Sequence, residues 1–294
     1  MRFVRHYKIS TALLALSLSV IVAHYLQPSF LYFPRRYEID EYDASRNQLR
    51  RRGLDLLKIQ YGLNMYSYLV VPRSSTNVTL YILIGGNGMT ALDWTDWVTG
   101  LVPLMEAEKP NAAFLLIDYP GYGNNPGNPS PETINECIHK SFAKTLEVLE
   151  IDEINVLGHS IGAAAAAKWV VEMEGHRITR LVLSAPFTSV SDMTKVIFPI
   201  LPHFLSSIVS RHNWDNRQSL KTITNKENVG DVIIVHGETD EIVPWAMGRE
   251  LSQVANCRFV SVPSTQHNEI LAHQQLFAYV LTSAPESFRN SSKL

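Results

Sequence analysis

Short apolar runs alternate with amphipathic stretches along most of this chain. Leu80–Ile84, Ala113–Ile117, Ile154–Leu157, Arg180–Ser184 and Asp231–Val235 are mostly apolar. Strands covered on both faces read this way, because neither set of alternating side chains meets water. Between them the apolar residues recur at helical spacing. Ala91–Glu106 places Leu92, Trp97, Leu101 and Leu104 on one stripe, and Pro131–Leu149 is amphipathic with a proline at its first position. Further helices are expected from Ala163 through Val170, from Val243-Pro244 to about Val254, and over Glu269–Leu281 after a last strand at Arg258–Val262. Leu57–Tyr61 and Met65–Val71 flank Gly62-Leu63-Asn64 as a hairpin would. The pattern predicts an α/β fold: a mainly parallel central sheet with helices on both faces and an antiparallel hairpin at its amino-terminal edge.

Three stretches depart from the alternation. Arg2, Arg5 and Lys8 precede Ile9–Leu26, which carries no charged residue and is closed by Pro28. That is about the shortest run able to span a bilayer, which takes roughly 17–25 residues. Residues 1–28 are therefore expected to be a membrane anchor, favoured on length, or a signal peptide cut near Ile21-Val22-Ala23. The basic residues ahead of the run favour a cytoplasmic amino terminus and a body on the far side, although Arg35 and Arg36 beyond it weaken that orientation. A buried amino-terminal helix of a soluble protein is a third reading. Residues 29–55 read as a connecting segment whose aromatics, in Leu31-Tyr32-Phe33-Pro34, dock on the body or sit at a membrane interface, and Arg50–Arg52 reads as a solvated run. A globular domain is expected over 56–284. Within it, residues 186–225 form a small insertion after the sixth strand, apolar in Val196–Pro202 and Phe204–Val209, where prolines forbid one long helix. That insertion is either a lid, a membrane-facing surface or a pair of core helices. Residues 285–294 are a polar tail ending Ser292-Lys293-Leu294, which is a peroxisomal address.

Composition narrows the picture little. A net charge of −2 implies neither nucleic acid nor a polyanionic substrate, and two cysteines, Cys137 and Cys257, suggest neither a disulfide scaffold nor a metal site. Asn77-Val78-Thr79 is a glycosylation sequon if this part of the chain is luminal.

The candidate chemistry centres on Gly158-His159-Ser160-Ile161-Gly162, which lies between the Ile154–Leu157 strand and an alanine-rich helix. A serine raised on a strained strand-to-helix turn needs small neighbours two positions away on either side, which Gly158 and Gly162 supply. The plainer alternative is an ordinary turn with a capping serine. Ser160 as nucleophile needs a base and an orienting acid, in the chain order Ser, Asp or Glu, His. Asp240 follows a strand at its carboxyl end, with Glu238 and Glu241 as rivals, and its plainer role is to cap the next helix. His267 follows the last strand, whereas His273 lies inside a helical pattern, His159 lies in the turn itself, and His236 ends a strand as a core or supporting group. Backbone N–H groups of Ile161 and of Asn87, in Gly85-Gly86-Asn87-Gly88, would form the oxyanion hole. That glycine cluster otherwise reads as a tight turn, and it lacks the Lys-Ser/Thr ending of a phosphate loop.

With these residues placed, the chain resembles the alpha/beta hydrolases over roughly Leu57–Leu281. The motifs, in order, are Gly85–Gly88, Asp118-Tyr119-Pro120-Gly121-Tyr122-Gly123, Gly158–Gly162, Gly237–Pro244 and His267-Asn268-Glu269. Within that superfamily it is similar to the single-pass membrane-anchored alpha/beta-hydrolase-domain proteins, through Leu31–Pro34 and His267–Glu269. It departs from them where Gly85-Gly86 replaces the usual His-Gly and Asp118-Tyr119-Pro120-Gly121 replaces Asp-Tyr-Arg-Gly. The resemblance implies a serine hydrolase of carboxylic esters or thioesters, often lipid-derived, acting through an acyl-enzyme on Ser160 with no metal or cofactor. The rival readings are a serine peptidase of the same fold and a catalytically silent binding or scaffold protein. The expected partners are an acyl-ester substrate and, through residues 1–28, a membrane of the secretory route with the domain on the non-cytoplasmic side. Secretion and peroxisomal import are the alternatives.

Overall fold

The computed structural model describes residues 24–25, 27–73, 77–199 and 211–282. Eight strands form one sheet in the order β1-β2-β4-β3-β5-β6-β7-β8. They are β1 (Leu54–Gly62), β2 (Met65–Pro72), β3 (Asn77–Ile84), β4 (Ala112–Ile117), β5 (Glu150–His159), β6 (Ile178–Ser184), β7 (Val229–Gly237) and β8 (Arg258–Val262). The β1–β2 hairpin is antiparallel and β2 joins β4 antiparallel; all remaining pairs are parallel. The mainly parallel sheet expected from the apolar runs is therefore present, with its antiparallel hairpin at the amino-terminal edge.

Pleating divides each central strand between two cores. Leu80, Ile82 and Ile84 of β3 face one layer with α3 (Pro131–Leu146), α4 (Ile161–Glu172) and α6 (Asn216–Ile223). Tyr81 and Leu83 face the other, with α1 (Glu41–Arg50), α2 (Trp94–Met105) and α8 (Gln274–Thr282). Both sets are fully buried, which is why Leu80–Ile84 is apolar throughout and shows no alternation. Two further helices among the described residues are α5 (Val190–Ile197) and α7 (Trp245–Val254).

Several boundaries differ from the sequence expectation. The closing helix is broken: Glu269–Ala272 is a 3-10 turn, and α8 begins after His273, whose Nε2 lies 3.1 Å from Thr265 Oγ1. Asn77 lies at the first position of β3, exposed, at the amino-terminal end of the sheet. Residues 29–55 contain α1, whose Leu49 is fully buried, and Tyr32 ahead of it is buried too. Arg50, Arg51 and Arg52 are exposed.

The stretch after β6 divides by burial. Val190, Trp214, Leu220 and Ile223 are buried, whereas Val196, Ile197 and Phe198 are exposed. Phe204–Val209 and the carboxyl tail with Ser292-Lys293-Leu294 lie outside the described residues, as does Ile9–Leu26 except for His24 and Tyr25. Among the described residues, no helix is long and apolar enough to cross a membrane.

Candidate active site

β5 runs into α4 through Ser160, whose φ of 57° and ψ of −119° are foreign to an L-residue with a side chain. The flanking glycines are required sterically. A Cβ at Gly158 would overlap the Gly162 carbonyl, and one at Gly162 would overlap the Ile84 carbonyl oxygen. The strained turn is held by the Ser160 N–H, which donates to Ser184 O at 2.9 Å, and by five buried alanines, Ala163–Ala167, that seat α4 against the sheet. Ser160 thus stands at the carboxyl ends of the parallel strands, over a helix amino terminus.

The structure brings Ser160, His267 and Asp240 into one hydrogen-bonded line. His267 Nε2 lies 2.9 Å from Ser160 Oγ, and His267 Nδ1 lies 2.7 Å from Asp240 Oδ2. A carboxylate only accepts, so Nδ1 carries the proton and Nε2 faces the serine hydroxyl as acceptor. The Asp240 carboxylate is saturated. Its Oδ1 accepts from the Ile242 and Val243 N–H groups at 2.9 and 2.7 Å, and its Oδ2 also lies 3.2 Å from His236 Nε2. Burial works to raise its pKa, but the bonds from His236 and His267 outweigh it and hold the carboxyl well below the usual carboxylate range. Of the rivals, Glu241 accepts from the His267 N–H at 3.3 Å and Glu238 from the Ser261 hydroxyl at 2.8 Å; neither touches the imidazole.

His236 had two open readings from sequence, core or support, and its ring occupies both positions. It is fully buried, and Nε2 serves the Val243 carbonyl at 3.0 Å as well as Asp240. His159 is buried with Nδ1 3.1 Å from Ser184 Oγ, and its ring centroid is 5.1 Å from that of His267. Burial, and next the neighbouring His267, push its pKa down to about 3.

The glycine-rich loop after β3 comes close to the turn. A Cβ at Gly86 would lie 2.9 Å from His159 Cδ2 and 3.4 Å from Ser160 Cβ, so only glycine allows this approach. Among the described residues, neither the Asn87 nor the Ile161 backbone N–H donates a hydrogen bond. The loop is held from outside by residues that the sequence pattern does not single out. The Phe33 N–H lies 2.8 Å from Asn87 Oδ1, Arg35 contacts Thr90 and Asp93, and Tyr37 donates to Asp118. No local spacing links positions this far apart in the chain. Only Leu31-Tyr32-Phe33-Pro34, as a candidate for docking, hints at them.

A family model for the alpha/beta hydrolase fold matches residues 79–213. Protein bem46 of Schizosaccharomyces pombe is 30% identical over 167 residues, covering 54% of this chain and 53% of its own. Lysophosphatidylserine lipase ABHD12 of Bos taurus is 28% identical over 155 residues, covering 48% of this chain and 37% of its own. The chain spans about half the length, or less, of these curated relatives. Among solved structures, an alpha-beta hydrolase from Vibrio vulnificus superposes with a TM-score of 0.60 at 14% identity, covering 84% of this chain and 85% of that one, a likeness of fold. The sheet order, the strained serine turn and these matches agree on one architecture: the chain has the alpha/beta-hydrolase fold.

Proposed function

We propose that this protein is a serine hydrolase that cleaves lipid-derived carboxylic esters or thioesters through an acyl-enzyme. The observation that carries the proposal is the Asp240–His267–Ser160 line, at 2.7 and 2.9 Å, on a serine held at positive φ. His267 takes the Ser160 proton as Oγ attacks the acyl carbonyl, and Asp240 orients the imidazole and stabilises its charged form. The N–H groups of Ile161 and Asn87 receive the oxyanion, at the amino terminus of α4. Collapse of the tetrahedral intermediate expels the alcohol or thiol with the proton from His267. Water, deprotonated by the same imidazole, then releases the acid.

A lipid substrate is supported by Val196, Ile197 and Phe198, exposed in the stretch after β6. It is also in keeping with a relative that is by name a lysophosphatidylserine lipase. Residues 1–28 anchor the chain in a membrane of the secretory route, with the domain on the non-cytoplasmic side. The uncharged Ile9–Leu26 run and the basic residues ahead of it support this placement.

Labelling with a fluorophosphonate serine probe tests the chemistry. Wild type labels, and Ser160→Ala and His267→Ala do not, with turnover in Ser160→Ala reduced on the order of a millionfold. A folded wild type that neither labels nor hydrolyses esters contradicts the proposal.

A further inference from the structure

The amino-terminal residues 33–37 cross the carboxyl ends of β3 and β4, and their contacts fall on two loops. On the first, the Phe33 N–H lies 2.8 Å from Asn87 Oδ1 and 3.0 Å from the Tyr122 hydroxyl, which itself lies 3.3 Å from Asn87 Oδ1. Arg35 then grips the end of that loop. Its guanidinium forms a two-point pair with Glu41, at 2.9 Å for each contact, and its Nη2 lies 2.7 Å from both Thr90 Oγ1 and Asp93 Oδ1. Asp93 in turn accepts from the Thr90 N–H at 2.7 Å, closing the first turn of the 3-10 helix at Ala91–Asp93. On the second loop, the Arg35 carbonyl accepts from the Gly123 N–H at 2.8 Å, and Arg36 reaches the Asn125 carbonyl at 2.9 Å. Between the loops, the Tyr37 hydroxyl donates to Asp118 Oδ2 at 2.5 Å, while Asp118 Oδ1 accepts from the Ala91 N–H at 2.7 Å.

Apart from these contacts, the Asn87 loop is held at its base, where the Tyr119 hydroxyl donates to the Gly85 carbonyl at 2.5 Å and Gly86 lies against His159. It contains three glycines, and its own bonds amount to a Met89 N–H to Gly86 O turn at 3.1 Å and a Gly86 N–H to Met89 sulfur contact at 3.3 Å. A loop of this composition has many backbone conformations open to it, and one of them directs the Asn87 N–H at the reacting oxygen. An oxyanion donor is effective only when aimed before the charge develops, and loss of one such donor lowers turnover by about 10²–10³-fold.

We propose that residues 33–37 are a positioning strap for the Asn87 loop, with Arg35 as its main clamp. The chain just after the amino-terminal apolar run then sets the rate of the chemical step. The inference rests on the serine-hydrolase reading above and extends it: none of these residues touches the reacting atoms. Arg35 suits the role because one planar guanidinium joins α1, through Glu41, to Thr90 at the end of the loop and to Asp93 of the 3-10 helix that follows, which a lysine ammonium does not match.

The test uses the full chain in detergent micelles, with p-nitrophenyl butyrate as substrate and a trifluoromethyl ketone as tetrahedral mimic. Rates are normalised to serine sites titrated by the fluorophosphonate probe. Arg35→Ala is expected to lower kcat by 10- to 100-fold with KM changed less than twofold, and to weaken the ketone by the same factor. Arg35→Lys recovers part of both, and Arg51→Ala, at an exposed site, changes neither. Hydrogen exchange of residues 86–90 should quicken in Arg35→Ala while that of α4 is unchanged. If the loss of rate in Arg35→Ala comes entirely from fewer titratable sites, or if the ketone binds unchanged, the strap is only structural and the proposal falls. A folded wild type that neither labels nor hydrolyses the ester sinks the serine-hydrolase reading itself, whatever the Arg35 variants do.

Discussion

At Ser160 the backbone is bent into a conformation that costs on the order of 1–3 kcal/mol and persists only because its surroundings over-determine it. Those surroundings are residue-specific: two glycines where a methyl group would strike a carbonyl, a β6 carbonyl that holds the Ser160 N–H, and an imidazole at 2.9 Å. His159, the next residue back, is buried beside His267 and yields a pH prediction. Its folded pKa of about 3 lies below the ordinary 6.5. The unfolded chain therefore binds the extra proton first: the contribution is full above pH 6.5 and is lost as pH falls towards 3. His159→Asn keeps a side-chain nitrogen near Ser184 and removes the titration. In urea unfolding between pH 6.5 and 4, its stability should fall less steeply than that of wild type, by up to ~1.4 kcal/mol per pH unit. Equal slopes for the two proteins would show that His159 does not titrate in this way.

At the scale of elements, apolar runs placed the central strands well, since strands buried on both faces leave an unambiguous record in the chain. The breaks were less legible. His273 interrupts the closing helix through a contact with Thr265, a residue outside the helical period. The apolar residues described in the stretch after β6 divide between core and surface, Val190 and Trp214 buried and Val196–Phe198 exposed, according to what lies beneath them. α5 is tied down at its start, where Ser189 Oγ accepts from the Asp192 N–H at 3.0 Å and Asp192 gathers Thr188, Lys195 and Arg217. Ser189→Ala should therefore lose roughly 1 kcal/mol, as removal of a helix cap does, read from the urea midpoint at constant m-value. A loss below a few tenths would mean that the Asp192 cluster holds α5 without the cap.

The whole molecule separates two ends of one sheet. Ser160, Asp240, His267 and the strap lie at the carboxyl ends of the strands, and Asn77 opens β3 at the other. A glycan on Asn77 would therefore stand clear of the site. If the domain lies on the non-cytoplasmic side, the expressed chain should lose apparent mass on treatment with peptide N-glycosidase, and Asn77→Gln should remove the shift assigned to that residue. A chain from a glycosylating host that carries no glycan would place the domain in the cytoplasm or peroxisome, and the Ser292-Lys293-Leu294 address would gain weight.

Local chemistry was written in the sequence by itself. The alternation of buried strands and amphipathic helices and the small residues around Ser160 follow from steric and hydrophobic demands that act on neighbours in the chain. Contacts between distant segments were decided only by the tertiary structure. These are His159 set between Ser184 and His267, and the Phe33–Tyr37 strap on a loop 54 residues away from Phe33. Such contacts leave no periodicity, because a hydrogen bond between remote residues constrains two positions and nothing between them.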